Sequence, residues 1–587
     1  MTRTLLLITI AIFTLSACAG FGPAADQTTT LEQTTSHIVK ADSLADAKAA
    51  VAAVDGTITH ELGVIGAVGA DLTADQLAAL REDRTIRRIY ANDSVETAGK
   101  GNKAPGNDSG TTDMSTDMST DTFYTTLIDG DYVHQMGIDG SGVGIAVLDT
   151  GLWKTNGIKY DSAGNVRINA VYNAITGELA NSPLSGDDPA GHGSHVASIA
   201  VSSQMTNDGT ARYNGVAPGA HLVSVQAFGG SGQGTYADVI RAIDWVIANR
   251  DTYNVRVLNA SFSAEPRSFY WDDPINQAIM AAWQANIFVV AAAGNRGPTP
   301  MTIGVPGNVP YVMTVGAMTD NYTPADPSDD ELASFSSTGP TVEGFVKPDV
   351  VAPGGHMRGL VQGNSTLASA YPDYYDGQYF EMSGTSQATA VVSGIAALVM
   401  QAYPGLSVDD VKCKILSAAA PATITTGRGK DKTTTLAYSV FQQGAGIVDA
   451  YAAVMNQTVD CANNGLHIDN DIDGFQHFGG PANQQTDGTY HVRGNLDSKE
   501  TGYVWNGGYA DSSGYLWTDG YLWTDGYLWT DAYLWTDGVG TNGYLWTDGY
   551  LWTDGYLWTD AYLWTDGYLW TDSLTEMATM SSWVEQE

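Results

Sequence analysis

Basic residues are scarce in this sequence: 27 Lys and Arg stand against 65 Asp and Glu over 587 residues, a formal net charge of −38. A surface of that sign repels the phosphate backbone of nucleic acid, so nucleic acid is excluded as a partner. Cysteine is scarcer still, and three positions, Cys18, Cys413 and Cys461, are too few for a disulfide-framed scaffold. Charged residues make up only 16% of the chain and hydrophobic ones 43%. That is too apolar for a wholly disordered chain, and the apolar stretches are too interrupted for a multi-span membrane protein. What remains is a mainly globular chain with room, at roughly 150 residues per domain, for about four folding units.

The first segment reads as an address. Arg3 precedes a largely apolar run from Leu5 to Leu15, and Leu15-Ser-Ala-Cys18 follows at once. Such a run is too short to cross about 30 Å of hydrocarbon and reads as a secretory signal. The Leu-Ser-Ala-Cys tetrapeptide resembles the bacterial lipoprotein signal, whose cysteine is acylated before cleavage; the resemblance implies a signal over 1–18 and a lipidated Cys18. An ordinary signal with a chance cysteine is the alternative. Export permits disulfides, which leaves Cys413 and Cys461 either bridged or as two separate buried thiols, depending on whether their Cα atoms lie within about 7 Å.

Further along, residues 19–96 hold a small α+β unit, with strands at His37–Lys40 and Ile86–Tyr90 and helices at Ser43–Val54 and Thr73–Arg81. Residues 97–122 are Gly, Asn, Ser, Thr and Asp with a Thr-Asp-Met-Ser repeat, a linker with nothing to bury. Over 123–455, strand-like apolar runs (Val143–Leu148, Leu222–Ala227, Val255–Leu258, Ile287–Ala292, Tyr311–Val315) alternate with helical stretches. Alternation of this kind predicts an α/β fold, a parallel sheet flanked by helices, with functional loops at the carboxyl ends of the strands. An Asn- and Gly-rich connector spans 456–502, a repeat tail 503–572 and a terminal piece 573–587.

Four motifs in the α/β region carry chemistry. A strand runs into Asp149-Thr-Gly. The same triplet serves aspartic proteases, but that chemistry needs two carboxylates sharing a proton, and the second candidate, Asp108-Ser-Gly, lies in the linker with no strand before it. Next comes Gly191-His192-Gly-Ser-His195 at the start of an apolar helix; the histidines could share a zinc ion, but no third ligand follows. A third strand ends in Gly294-Asn295, and Ser383-Gly-Thr-Ser386 opens the apolar run Ala388–Met400. An unpaired amide and the helix dipole favour negative charge at Ser386.

In the chain order Asp, His, Asn, Ser, these motifs resemble the subtilisin-like serine proteases. The resemblance covers about 123–453 and extends to Val216-Ala-Pro-Gly, Phe335-Ser-Ser-Thr-Gly-Pro, Lys347-Pro-Asp-Val-Val-Ala-Pro-Gly and Gly444-Ala-Gly-Ile-Val-Asp-Ala. It implies Ser386 as nucleophile, His192 as general base and then acid, and Asp149 as the carboxylate that orients the imidazole. Asn295 becomes an oxyanion donor together with the Ser386 N–H, and His195 a structural residue. Gly230, Ser231 and Gly232 resemble the family's substrate-binding edge, where an extended peptide is added as a strand. The 19–96 unit resembles the family's propeptide, a folding chaperone and inhibitor. Two departures stand out: Gln387 and Ala390 replace the methionine and proline that usually follow the nucleophile. Arg296, directly after Asn295, is expected near the pocket for the residue before the scissile bond, where a fixed cation favours acidic side chains.

The tail repeats Tyr-Leu-Trp-Thr-Asp nine times with a period of six, broken once by a five-residue insertion, and from Tyr503 onward it holds 13 acidic residues and no Lys or Arg. An even period keeps the aromatics of a strand on fixed faces, which predicts a β-type tail. It acts either as a surface for polysaccharide or another cell-surface component, or as a packing unit alone. Asp469, Asp471 and Asp473 match the first half of a calcium loop, with Gly480 where the closing Glu belongs, so structural calcium stays open while the chemistry itself requires no cofactor. The expectation is an exported serine endopeptidase, self-processed from a lipid-anchored precursor, acting on proteins or peptides and bound by its own propeptide. The rival is a surface-binding lipoprotein whose tail carries the function on an inactive scaffold.

Overall fold

The computed structural model describes residues 33–92, 122–207, 210, 212–324, 326–426, 433–484, 490–492, 503–505 and 579–580. Cys18, the 97–121 stretch and all nine repeats lie outside the described residues.

The N-terminal unit is a four-stranded antiparallel sheet of β1 (Thr35–Ala41), β2 (Thr57–Leu62), β3 (Ala67–Leu72) and β4 (Ile86–Ala91), in the order β2-β3-β1-β4. Its two helices begin where the sequence places caps. Ser43 accepts from the Asp46 amide, and Thr73 with Gln76 completes a reciprocal capping box before Ala74–Arg81. The sheet has two strands more than the sequence reading, because β3 is Ala- and Gly-rich and carries little strand propensity of its own; it is held by pairing on both sides.

The α/β unit is built on a nine-stranded sheet, order β13-β12-β11-β9-β5-β8-β6-β7 with β14 beside β12. Its strands are β5 (Gly144–Asp149), β6 (Ile168–Asn173), β7 (Glu178–Leu179), β8 (His221–Gln226), β9 (Val255–Ala260), β11 (Phe288–Ala292), β12 (Met313–Thr319), β13 (Glu331–Leu332) and β14 (Val350–Pro353). All pairings are parallel except those of β7 and β13 at the two edges. Every residue of β5 and β11 is buried, as expected for parallel strands covered on both faces. The short strand β10 (Phe262–Ser263) continues past the end of β9, outside this sheet, and β15 (Met357–Leu360) pairs with β16 (Tyr379–Met382). Helices His192–Val201 and Thr385–Ala402, buried from His192 to Val201 and from Thr385 to Met400, pack against each other over the sheet.

Cys413 and Cys461 form a disulfide, with Cα atoms 5.2 Å apart, which ties the connector to the helix Val408–Ala418. The connector is more ordered than its composition implies. Ala482–Gln484, Tyr490–Val492 and Tyr503–Trp505 make a three-stranded antiparallel sheet that crosses the 502/503 boundary, with Ala482 and Tyr490 packed on Phe441. The half calcium motif is not an open loop: Ile468–Ile472 is helical. Both Asp471 oxygens are engaged, one by Tyr270 and Tyr311 hydroxyls at 2.5 and 3.0 Å, the other by His477 at 2.7 Å. Asp469 accepts from Gln284 and Asp473 ends the helix. Asp469 and Asp471 are thus engaged in docking the connector, and among the described residues no group of three or more His, Cys, Asp or Glu is arranged to hold a metal ion.

Candidate active site

Four strand ends and helix starts converge on one place. β5 delivers Asp149 at its carboxyl end, and Gly151 follows at φ 128°, a turn favouring glycine. The helix His192–Val201 opens opposite, and a Cβ at Gly193 would collide with the Gly151 carbonyl. Glycine at both positions lets the two loops touch, so that His192 Nδ1 reaches both Asp149 oxygens, at 2.8 and 3.0 Å. Both side chains are buried. Burial opposes protonation of the imidazole, but the Asp149 carboxylate outweighs it, and the His192 pKa is raised above the ordinary histidine value. Its other nitrogen, Nε2, is buried without a hydrogen-bond partner.

Ser386 lies in the first turn of Thr385–Ala402, where helical amides have no carbonyl within the helix. Its hydroxyl donates to the Ser261 carbonyl at 3.1 Å, and the Ser261 hydroxyl donates back to the Ser386 carbonyl at 3.0 Å. The hydroxyl is thus bonded away from the unpartnered Nε2, in keeping with the looser hydrogen bonding of sites without substrate. The opening turns of the two helices are joined directly: Gln387 Nε2 lies 3.4 Å from His195 Nδ1. His195 Nε2 donates to the Met357 and Phe380 carbonyls at 3.1 and 2.9 Å. Burial and the nearby His192 push its pKa down to about 3, so it stays neutral and structural.

Asn295 sits one residue beyond Gly294, whose φ is 107°. Its Oδ1 accepts from the Thr385 amide at 3.0 Å and the Thr385 hydroxyl at 2.9 Å. Since a backbone N–H must face an acceptor, this fixes the amide orientation and turns Nδ2 toward Gly384, just before the nucleophile position. The arrangement offers an orienting carboxylate, an imidazole with an open nitrogen and a hydroxyl at the first turn of the neighbouring helix, with Asn295 tied to the residue before that hydroxyl.

The sequence reading missed Asp188. Fully buried four residues before His192, it accepts from Thr150 Oγ1 (2.7 Å), Gly191 N (2.9 Å), Ser194 N (2.7 Å) and Ser194 Oγ (2.6 Å), so it binds the Asp149 loop to the His192 helix start. An acidic residue just before a helix was the available signal. Each Asp188 oxygen faces a backbone N–H, so in Asp188→Asn the new NH2 must point at a donor in either orientation. We expect kcat to fall about 10- to 100-fold with KM little changed, as the Asp149–His192 geometry loosens. Because Asp188 also helps raise the His192 pKa, the acid limb of the pH profile should move lower. A structural defect alone would not shift that limb.

The remaining candidates lie at the rim. Gly230 to Gly232 form a turn closed by the Gly232 N–H on Gly229 O at 2.9 Å, with Gly230 O held by Thr366 Oγ1 at 2.9 Å. Arg296 is half-exposed, and its guanidinium lies 3.5 Å from the Glu265 carboxylate, which offsets the cation behind the expected acidic preference.

Residues 140–446 match the model of the subtilase family. This region is more than half of the chain, and the chain belongs to that family, the subtilisin-like serine proteases. Among its relatives are serine protease AprX of Bacillus subtilis, 39% identical over 281 residues, and subtilisin DY of Bacillus licheniformis, 32% identical over 297. The matches cover 47% and 50% of this chain, 60% of AprX and 89% of subtilisin DY. Fervidolysin from Fervidobacterium pennivorans, a keratinolytic enzyme related to subtilisin, shares the fold with a TM-score of 0.52 at 21% identity, over 72% of this chain and 61% of that one.

Proposed function

We propose that the chain is an exported serine endopeptidase made as a self-processed precursor. Asp149, His192 and Ser386 act as its triad and Asn295 as an oxyanion donor. The observation that carries this reading is the buried Asp149–His192 pair with its one unpartnered nitrogen, on a helix whose first turn is tied to that of Ser386. Ser386 Oγ attacks the peptide carbonyl while its proton passes to His192 Nε2, and Asp149 stabilises the imidazolium. The oxyanion receives the Asn295 Nδ2 and Ser386 N donors, each such donor being worth about 10² to 10³ in turnover by the figure that belongs to subtilisin. The leaving amine takes the proton from His192, and water then repeats the sequence on the acyl-enzyme.

A raised His192 pKa has a consequence for pH. Catalysis needs the neutral ring, so the acid limb of kcat/KM should lie above the usual histidine range near 6.5. Conversely, the Asp149–imidazolium pair stabilises the fold below the unfolded-state pKa and loses that contribution as pH rises through the folded one. A limb at or below pH 6.5 would overturn the assignment.

The N-terminal unit fits a propeptide that stays docked. Lys40 Nζ meets Gln277 Oε1 at 2.5 Å, His60 meets Asp238 at 3.1 Å, the Gly63 amide donates to Asp244 at 2.9 Å, and the Tyr90 hydroxyl donates to the Asp272 carbonyl at 3.1 Å. These contacts cover the helices Tyr236–Asn249 and Pro274–Gln284. Cleavage in the 97–122 linker would separate the catalytic unit from a Cys18 lipid anchor, leaving the aromatic tail as the covalently attached element that could hold it at a surface. The binding-lipoprotein reading is not favoured, because a mere scaffold has no need of an Asp–His pair with an open nitrogen. A serine-reactive phosphonate tests the assignment. It should modify Ser386 in processed protein and leave Ser386→Ala untouched, and absence of label on the wild type would refute it.

A further inference from the structure

The short strand β10 has a partner from the far end of the chain. Thr579–Met580 forms a strand antiparallel to it, with Met580 opposite Phe262 and Thr579 opposite Ser263. In the described structure β10 pairs with no other strand; it stands outside the nine-stranded sheet, and these two short strands form a sheet of their own. Its position gives the pairing meaning. β10 begins one residue after Ser261, the residue whose carbonyl accepts the Ser386 hydroxyl at 3.1 Å and whose hydroxyl reaches the Ser386 carbonyl. A peptide laid antiparallel on β10 therefore runs, from its N- to its C-terminal side, from Ser263 past Phe262 toward Ser261. Thr579 to Met580 runs in that direction.

Phe262 itself is fully buried, with its ring 5.5 Å from that of Phe228, so β10 is a rigid platform that offers its backbone edge. Such an edge recognises an extended peptide through main-chain hydrogen bonds, whatever its sequence. The occupant is tethered to the same molecule, which gives it an effective concentration in the millimolar range if its linker can span the distance.

We propose that the segment carrying Thr579 and Met580 is an intramolecular ligand of the peptide-accepting edge, and that it competes with substrate in cis. The competition rests on reading Ser386 as the nucleophile; the docking itself does not. A peptide held by few backbone bonds binds weakly, near 100 μM, so an effective concentration near 1 mM raises the apparent KM about tenfold.

The test compares the full chain with one lacking 579–587, and with a full-length Thr579→Pro/Met580→Pro variant that cannot donate from those two amides. Hydrogen exchange at the Phe262 and Ser263 amides requires no activity. Antiparallel pairs alternate between hydrogen-bonded and non-bonded, so only the one of these two amides that faces Thr579–Met580 reports the pairing. It should exchange slowly in the full chain and faster in both altered chains, and equal exchange of both amides in all three would overturn the docking. On a short fluorogenic peptide, both altered chains should show KM lower by about tenfold at unchanged kcat, and a synthetic 573–587 peptide should inhibit the truncated chain competitively. Equal KM values in active chains would overturn the competition. Loss of hydrolysis in all three chains would instead count against the active-site assignment, leaving the exchange result to decide the docking.

Discussion

Ser386→Ala is expected to abolish peptide hydrolysis and to accumulate as a folded, full-length precursor. The hydroxyl is fully buried and its hydrogen bond is to the Ser261 carbonyl. Removing it sacrifices one neutral bond, about 1 kcal/mol, while alanine is a good helix former in the first turn of Thr385–Ala402. The fold should therefore persist, with a thermal midpoint within a few degrees of wild type. Catalysis is another matter, because no nearby group can replace the nucleophile. The loss should be on the order of 10⁶ in kcat, a figure that belongs to subtilisin. If cleavage in the 97–122 linker is intramolecular, the same substitution leaves the N-terminal unit attached. Rates on a fluorogenic peptide, a melting curve and the mass of the purified chain check the three parts separately. Mature-sized protein from Ser386→Ala, made in a host without other proteases, would sink self-processing while leaving the nucleophile assignment to the rate measurement.

Much of this site was legible because local sequence and global topology agree. Asp149 and Asn295 follow apolar strand runs while His192 and Ser386 open apolar helical runs, and a parallel sheet gathers those strand ends and helix starts on one side. The strands observed fall within about two residues of those read from apolar runs at one or both ends, as with Gly144–Asp149 for Val143–Leu148. What the sequence could not reveal were partners set by tertiary contact. Asp188 looks like any loop carboxylate until four donors close on it. Asp471 sits in a half calcium pattern, yet two tyrosines from elsewhere in the fold, with His477 six residues on, occupy it. The β10 pairing with Thr579–Met580 joins residues more than 300 positions apart, and no periodicity records such a contact.

Replacing Asp349 by alanine is expected to cost about 3–5 kcal/mol of stability, the penalty for leaving buried charge unpaired. The motif Lys347-Pro-Asp349 precedes β14, and Asp349 lies between two buried lysines. Lys347 Nζ is 2.6 Å from one of its oxygens and Lys412 Nζ, from the helix Val408–Ala418, is 3.4 Å from the other. The Thr314 amide donates to it at 2.7 Å, and the two ammonium groups also reach the carbonyls of Val312, Pro310 and Tyr311. One carboxylate thus holds together β12, β14 and the helix that carries Cys413. Burial opposes its ionisation, but the two lysines prevail and keep its pKa below the ordinary carboxylate value, so its contribution is complete above about pH 4 and lost as pH falls through the folded pKa. Burial drives Lys347 down to about 7, with Asp349 resisting the shift. Without Asp349 that lysine should lose its proton lower still. Between pH 6 and 7 the unfolded variant then binds a proton that its folded form does not, and its stability rises with pH there while that of the wild type stays flatter. The deficit should accordingly be larger at pH 6 than at pH 8. Denaturant melts at both values decide it: a loss under 1 kcal/mol, or one that grows with pH, would mean that Asp349 does not hold the two lysines in the fold.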